Sequence, residues 1–203
     1  MSTMSEFLRL RVKLDDAITY GTKKEAMRLA KQGLRIALQN RSLAELEYFK
    51  GQVDILKNNF AGAIEHFDTA IRYNPKDGAS YNDRALCMVE LGIIDESLKY
   101  FDKGIEVEPD FATIYHNKGW LLNNIGRYSE AVSCFKKALR LDPDRPVTYD
   151  NLADALYNLS DLKGALKAYR MVLELLAKDS CKGIRGEIKK RIKQIETEID
   201  NAN

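Results

Sequence analysis

A period of 34 residues is the feature that most constrains how this chain can fold. Pro75, Pro109 and Pro143 mark it, each at the end of a helical stretch. Two further columns keep the same register, one aromatic and one of small residues: Phe67, Phe101, Phe135 and Tyr169, and Ala63, Ser97, Ala131 and Ala165. Large and small residues alternate in this way where helices pack closely, because the small residue lets a backbone approach and the ring fills the adjoining gap. The period therefore predicts one elongated domain of stacked, similar units.

Each unit is predicted to contain two helices joined by a tight turn. In the third unit, helix A is expected at 113–124 and helix B at 129–141. Gly92, Gly126 and Ser160 occupy equivalent turn positions, where a helix commonly ends on a residue in the left-handed conformation. The proline that follows helix B stops that helix. The pattern thus predicts an all-α chain of helix–turn–helix hairpins.

This pattern resembles the tetratricopeptide repeat, and the third unit carries the resemblance most completely. Its matching residues are Tyr115, Gly119, Leu122, Gly126, Tyr128, Ala131, Phe135, Ala138 and Pro143. The resemblance implies an all-α, right-handed α-solenoid of stacked helix–turn–helix repeats. The four full repeats are expected at 44–77, 78–111, 112–145 and 146–179.

Two flanking segments are expected to complete one continuous domain. Upstream, Tyr20-Gly21 followed by Ala30 and Gly33 fits a degenerate repeat over 7–40. Downstream, 180–203 is predicted to be a C-terminal capping helix, because isoleucines recur three and four residues apart along one face. They are Ile184, Ile188, Ile192, Ile195 and Ile199. Such a helix would cover the end of the last repeat, as stacked repeats require.

The resemblance also implies where a ligand would bind. In this family helix A of each repeat lines a concave groove that usually holds a peptide segment of a partner protein. The residues expected to bind there are Tyr48, Gln52, Asn82, Leu86, Glu90, His116, Trp120, Asn124, Asp150, Asp154 and Tyr157. Trp120 stands out, because it is the only tryptophan and Tyr115 already fills the aromatic packing position of its repeat. It is expected either to be an exposed anchor in the groove or to pack between neighbouring helices.

The charges at the groove positions indicate the character of the peptide. The four full repeats place Glu45, Glu90, Asp150 and Asp154 there and no lysine or arginine. Charges of one sign in a concavity favour an opposite partner, so we expect a peptide with apolar and basic residues. The alternative is that these carboxylates are merely solvated.

One subtype of the family is disfavoured by the residues at a single repeat position. Some members hold an acidic C-terminal peptide in a clamp of lysine, arginine and asparagine, because the ligand carboxylate must be paired. Where the first lysine of that clamp would be required, this chain has Tyr48, Asn82, His116 and Asp150. An acidic C-terminal peptide is therefore not the expected ligand.

Catalysis, cofactors and metals find no support in the sequence. His66 and His116 fall in different repeats and at different repeat positions, and neither has the i, i+4 partner of a helical metal site. The glycines occupy repeat positions and form no phosphate-binding loop. We expect no enzyme activity, no cofactor and no metal site. A catalytic cluster hidden among polar residues is the alternative.

Nucleic acid and membranes are disfavoured as partners. The formal net charge of +2 is nearly balanced, so no global field attracts either one. The basic stretch 182–193 is interpreted as the solvated side of the capping helix, because acidic residues follow it and no aromatic residues interleave it. Contact with RNA or with an acidic protein surface is the alternative for that stretch. No apolar run is long enough to span a bilayer.

The cysteines favour a cytoplasmic location. Cys87, Cys134 and Cys181 fall at three different repeat positions, and no pair has the spacing of metal ligands. Reduced thiols are the simplest interpretation of such a set.

Together these features predict a non-enzymatic protein–protein interaction module, an adaptor or scaffold that binds a peptide of its partner in the groove. The alternative is a structural scaffold that self-associates through its terminal helices, for instance as a homodimer.

Overall fold

The fold is all-α, as the sequence predicts. The computed structural model describes residues 5–19, 21–176 and 182–201, and that part of the chain contains eleven α-helices and no strand. Tyr20 and Cys181, both used in the sequence analysis, lie outside the described residues. The chain divides into two compact units, Met1–Pro109 (unit 1) and Asp110–Asn203 (unit 2).

Within each unit, consecutive helices pack against one another as hairpins. Unit 1 contains α1 (Glu6–Thr19), α2 (Lys23–Gln39), α3 (Leu43–Leu56), α4 (Phe60–Tyr73), α5 (Gly78–Glu90) and α6 (Ile94–Val107). Unit 2 contains α7 (Ala112–Asn124), α8 (Tyr128–Leu141), α9 (Pro146–Asn158), α10 (Leu162–Leu175) and α11 (Lys182–Asn201). The helices predicted at 113–124 and 129–141 are α7 and α8, each of which begins one residue earlier. Helix A of the four full repeats is therefore α3, α5, α7 or α9.

The turns inside the hairpins have the predicted left-handed residue. The φ angles of Gly92, Gly126 and Ser160 are +75°, +80° and +61°. In each turn the N–H of the next residue is donated to the carbonyl five residues back, for example Arg127 to Leu122 at 2.8 Å. This bond satisfies a carbonyl at the helix end that would otherwise lack a partner.

The prolines end the second helix of each hairpin. Helices α4, α6 and α8 stop two residues before Pro75, Pro109 and Pro143. The intervening residue has an extended ψ of 85°, 74° or 89°. Steric clash with the proline ring moves the preceding residue out of the helical region, so the 34-residue period appears as a regular series of helix ends.

The repeating columns form the core of both units. Phe67, Phe101 and Phe135 are completely buried. A Cβ on Gly119 would lie 2.8 Å from the ring of Phe135, and one on Gly51 would lie 2.7 Å from the ring of Phe67. Close approach of helix A to helix B therefore depends on a small residue opposite each ring. Burying each of these rings contributes about 1.5–3 kcal/mol.

The two flanking segments are also helical. The predicted degenerate repeat forms the hairpin α1–α2. At the position where the later repeats have an aromatic residue, this hairpin has Ala30, which is buried. In α11, which packs against α10, Ile188 and Ile195 are buried. The prediction that the isoleucine stripe is buried is wrong for its first residue, because Ile184 remains 53% exposed at the start of the helix.

Candidate functional site

The residues predicted to bind a ligand in unit 1 lie on α3 and α5, and most of them are buried. Tyr48, Gln52 and Asn82 are each less than 7% exposed. Leu86 is partly exposed and Glu90 is exposed. Three of the five predicted side chains in unit 1 are therefore engaged inside the protein, and two are accessible.

Asp83 is the acceptor that holds the buried polar side chains of unit 1 together. Its carboxylate accepts hydrogen bonds from Gln52 Nε2 at 2.5 Å and from Asn82 Nδ2 at 2.8 Å. The hydroxyl of Tyr48 donates to the same carboxylate. Burial raises the pKa of Asp83 to about 6, although these hydrogen bonds oppose the rise. Sequence reasoning missed Asp83. The sequence does contain an indication of its role, because Asp83 occupies the repeat position that holds Asn117 and Asn151 in later repeats.

A second buried network in unit 1 is centred on Arg11 of α1. Its guanidinium lies 3.6 Å from the centroid of the Tyr48 ring. It donates to both oxygens of Asp77, at 2.8 and 3.0 Å, and to Glu45 at 3.1 Å. The nearby carboxylates hold the pKa of Arg11 above its ordinary value despite burial. Glu45, which the sequence analysis counted as a groove charge, is thus paired with a cation from the flanking hairpin.

The acidic groups around Arg11 outnumber it. Asp77 also accepts a hydrogen bond from Ser80 Oγ at 2.6 Å, and Glu108 accepts one from the N–H of Gly78 at 3.0 Å. Burial raises the pKa of both Glu45 and Glu108, and the charge of Asp77 adds to the rise in each. Asp77 and Glu45 therefore share the guanidinium of Arg11, whereas Glu108 is held by a backbone N–H.

In unit 2, His116 of α7 is buried rather than exposed on a groove wall. Its Nδ1 lies 2.9 Å from Thr148 Oγ1, and its ring packs 5.9 Å from that of Phe135. Burial, together with a smaller effect of the charge of Arg145, lowers the pKa of His116 to about 3. The imidazole is therefore neutral near pH 7 and forms part of the packing between α7 and α9.

Trp120 has a different environment from its neighbours on α7. Gly119, Leu121 and Leu122 are buried, whereas Trp120 remains partly exposed. The following Asn124 is exposed. Between them, the Oδ1 atom of Asn123 is shielded from water and has no hydrogen-bond partner in the described part of the chain. The Trp120 side chain therefore stays partly accessible to solvent, while its neighbours along α7 are enclosed.

All three residues predicted on α9 contact side chains of α11. Arg191 donates to Asp154 Oδ1 at 2.8 Å and lies 3.6 Å from Asp150 Oδ1. The hydroxyl of Tyr157 donates to Glu198 Oε1 at 3.0 Å. The capping helix, expected only to cover an apolar end, thus binds the predicted ligand-binding residues of its own unit. No signal in the repeat register could have found this, because α11 lies outside the repeats.

Two other basic residues of unit 2 also have structural roles. Arg185 of α11 donates to the carbonyls of Leu173 and Leu176 at 2.5 and 2.8 Å, which satisfies the C-terminal end of α10. Arg145 donates to Thr113 Oγ1 at 2.9 Å. The basic stretch 182–193 therefore includes residues that fix α11 in place.

Neither a metal site nor a membrane span is found in the part of the chain that the structure describes. No group of three or more histidine, cysteine, aspartate or glutamate side chains could hold a metal ion among residues 5–19, 21–176 and 182–201. Over the same residues, no helix has both the length and the apolar character needed to cross a bilayer.

Models of one known protein family match most of the helical hairpins. Family models described as Tetratricopeptide repeat match residues 55–110, 112–145 and 147–178. Among curated proteins, the chain is similar to the Hsp70-Hsp90 organizing protein of Triticum aestivum, with 42% identity over 57 residues. It is also similar to Hsp70-Hsp90 organizing protein 2 of Arabidopsis thaliana, with 32% identity over 75 residues.

These similarities are local. The aligned segments cover 28% and 37% of this chain, and 10% and 13% of the two relatives. The chain therefore spans about a tenth of the length of the curated relatives it matches.

Solved structures share the fold over a larger part of the chain. A thermophilic TPR protein of Thermus thermophilus has a TM-score of 0.70 at 22% identity, covering 94% of this chain and 97% of that one. The first TPR of Spaghetti (RPAP3), solved bound to the HSP90 peptide SRMEEVD, has a TM-score of 0.55 at 19% identity. That match covers 62% of this chain and 94% of the other. At these identities the likeness concerns the fold.

Proposed function

Because the chain belongs to the tetratricopeptide repeat family, whose members are typically protein-interaction modules, we propose that it is a non-enzymatic adaptor that binds a peptide segment of a partner. Each unit presents its own binding surface, which consists of the accessible side chains on helix A of its full repeats. In unit 1 these are Leu86 and Glu90; in unit 2 they are Trp120, Asn124, Asp150, Asp154 and Tyr157.

Trp120 carries the proposal. It is flanked by buried residues on α7 and yet is not buried itself, although its large apolar surface would stabilise the core if it were. Partly exposed tryptophans with polar residues around them are common in the centre of protein interfaces. The buried residues of the predicted set contribute differently, because they support the surface helices from the interior. They are Tyr48, Gln52, Asn82 and His116.

The preferred peptide is apolar and basic. Glu90 of unit 1 is exposed, and Asp150 and Asp154 of unit 2 are partly exposed carboxylates. Acidic side chains on a binding face attract a cationic partner and repel an acidic one. His116, which stands at the position where a clamp for an acidic peptide needs a lysine, is neutral because burial lowers its pKa to about 3.

An acidic C-terminal peptide is the second candidate ligand. It is favoured by the likeness to the Spaghetti module, which was solved with the peptide SRMEEVD, and by the local similarity to Hsp70-Hsp90 organizing proteins. The two ligands have opposite charge, so one experiment separates them.

Fluorescence anisotropy of labelled peptides against the full chain tests the proposal. One peptide carries alternating leucine and lysine or arginine, and the other is SRMEEVD. We expect the basic peptide to bind more tightly and to change the emission of Trp120. Substitution Trp120→Ala should weaken its binding about tenfold, or ~1.4 kcal/mol, as for an interface anchor.

Tyr73→Ala is the matched control, because Tyr73 is an aromatic residue that is 55% exposed at the end of α4. It should leave the affinity unchanged. Circular dichroism of both variants verifies that the helices remain formed. Tighter binding of SRMEEVD than of the basic peptide would refute the proposed preference, and equal losses in the two variants would refute the role of Trp120.

Self-association through the terminal helices is a second candidate function. It is favoured by apolar side chains on α1, where Leu8, Val12 and Ile18 are each 46–48% exposed. Sedimentation velocity over a range of concentrations separates the two functions. A monomer at all concentrations would remove this candidate and leave peptide binding unaffected.

A further inference from the structure

The surface of α9 is already occupied by a segment of the same chain. Asp150, Asp154 and Tyr157 are the residues of α9 that the sequence assigned to ligand binding. Each of them contacts a polar side chain of α11. In addition, Gln194 donates to Tyr157 Oη at 3.3 Å. These contacts make α11 a model of how this surface holds a ligand.

Arg191 is the centre of that contact. Its guanidinium donates to Asp154 at 2.8 Å and to the hydroxyl of Tyr169 at 3.1 Å. Its Cζ atom lies 5.7 Å from the centroid of the Tyr169 ring. The surface therefore offers an arginine two carboxylates and the hydroxyl and face of an aromatic ring, the groups that guanidinium binds best.

The occupancy by Arg191 is incomplete. The Arg191 side chain is 47% exposed, and its distance of 3.6 Å from Asp150 Oδ1 is too long for a hydrogen bond. Asp150 Oδ1 is shielded from water and has no hydrogen-bond donor in the described part of the chain. On α7 of the same unit, Asn123 Oδ1 is in the same condition. Buried acceptors without a donor are rare in native proteins.

We propose that unit 2 recognises an arginine side chain in its partner peptide, and that Arg191 occupies the place of that arginine while the site is empty. The inference rests on the proposed function, because it names the residue of the peptide that this surface selects. An incoming guanidinium has five N–H donors and can satisfy Asp150 as well as Asp154. A lysine has no planar fork and fits such a pair of acceptors less well.

Displacement of Arg191 is energetically accessible. An ion pair that is about half exposed is weak, since hydration competes with it and both side chains lose freedom. The helix itself can stay in place, because Ile188 and Ile195 bury its apolar side and Arg185 holds the end of α10. Competition therefore requires the Arg191 side chain to move, and α11 need not unfold.

The test uses the full chain and labelled peptides that share one neutral, apolar host sequence. The peptides carry arginine, lysine, glutamine or glutamate at one central position. The protein variants are Arg191→Gln and, as the matched control, Arg170→Gln. Arg170 also pairs with α11, through Glu196 at 3.0 Å, but it has no contact with Asp150 or Asp154 in the described structure.

We expect the arginine peptide to bind the unmodified chain most tightly. Removing the internal competitor by Arg191→Gln should raise its affinity roughly two- to fivefold, the range for a partly exposed ion pair. The glutamine peptide should gain nothing, and Arg170→Gln should change neither affinity. A second site variant, Asp154→Asn, should abolish the preference for arginine over glutamine.

Each other outcome has a definite meaning. If the peptides bind with equal affinity whatever their central residue, or if Arg191→Gln leaves the arginine peptide unchanged or weaker, the inference is wrong while peptide binding stands. If no peptide binds and the emission of Trp120 never changes, the proposed function fails and the inference fails with it. Circular dichroism of the variants excludes loss of α11 as the cause.

Discussion

Asp83→Asn is the substitution that tests the electrostatics of unit 1 most directly. The carboxylate of Asp83 is buried among polar side chains, and burial raises its pKa from an ordinary 3.8 to about 6. Asparagine has nearly the same shape and carries no charge, and later repeats have it at the same position, as Asn117 and Asn151. Its amide can accept from Asn82 while the side chain of Gln52 turns its oxygen towards the new NH₂ group.

The sign and size of the effect follow from the pKa. Because the folded protein binds the proton of Asp83 more tightly than the unfolded chain does, the stability due to this group is fully present below pH 3.8. It is lost as the pH rises through 6. A rise of this size corresponds to at most about 3 kcal/mol. We expect Asp83→Asn to stabilise the protein by about 1–3 kcal/mol at pH 8. At pH 4 the variant should be as stable as the unmodified chain or slightly less stable.

Urea unfolding followed by circular dichroism measures this at pH 4, 6 and 8. The matched control is Glu106→Gln, which removes one exposed carboxylate from α6 of the same unit and should change the stability by less than about 0.5 kcal/mol at each pH. A stability difference between Asp83→Asn and the unmodified chain that is the same at pH 4 and pH 8 would refute the reasoning. So would a loss of stability at pH 8, because the hydrogen bonds to the carboxylate would then outweigh its desolvation.

Two further predictions concern the other buried ionisable groups. Arg11→Met should destabilise the protein by about 3–5 kcal/mol in urea unfolding, because it leaves Glu45 and Asp77 shielded without their cation; a loss below about 1 kcal/mol would show that water replaces the guanidinium. His116, whose pKa is lowered to about 3, should show constant imidazole ¹⁵N chemical shifts from pH 8 to pH 5. A change in the ¹⁵N chemical shifts centred between pH 6 and 7 would contradict the burial of the ring. Because the folded protein holds the neutral imidazole, the stability of the protein should fall as the pH drops below about 6.5.

The periodic part of the fold could be predicted from the sequence because each repeat confirms the others. The burial of Phe101 and the left-handed turn at Gly126 could each be predicted, because equivalent residues recur every 34 positions. Both features depend on packing within or next to their own repeat. The columns also separate residues that hold the stack from those that vary along helix A. They do not tell how deeply a varying residue is buried: Asn82 and Leu86 both vary, yet the first is buried and the second is partly exposed.

The candidate site was harder to predict, because its charges depend on segments that do not repeat. The sequence pattern placed carboxylates on helix A and found no cation among the same positions. Within unit 1 a cation comes from α1, through Arg11, and within unit 2 from α11, through Arg191. In each unit an arginine lies near an aromatic ring and between two carboxylates, so Glu45, Asp150 and Asp154 are not simply solvated. Ligand preference then depends on how a partner's cation competes with the internal one. That competition differs between the units, because the Arg11 side chain is only 14% exposed and donates to Asp77 and Glu45 whereas the Arg191 side chain is 47% exposed. The weaker internal pair is the one that a peptide can replace.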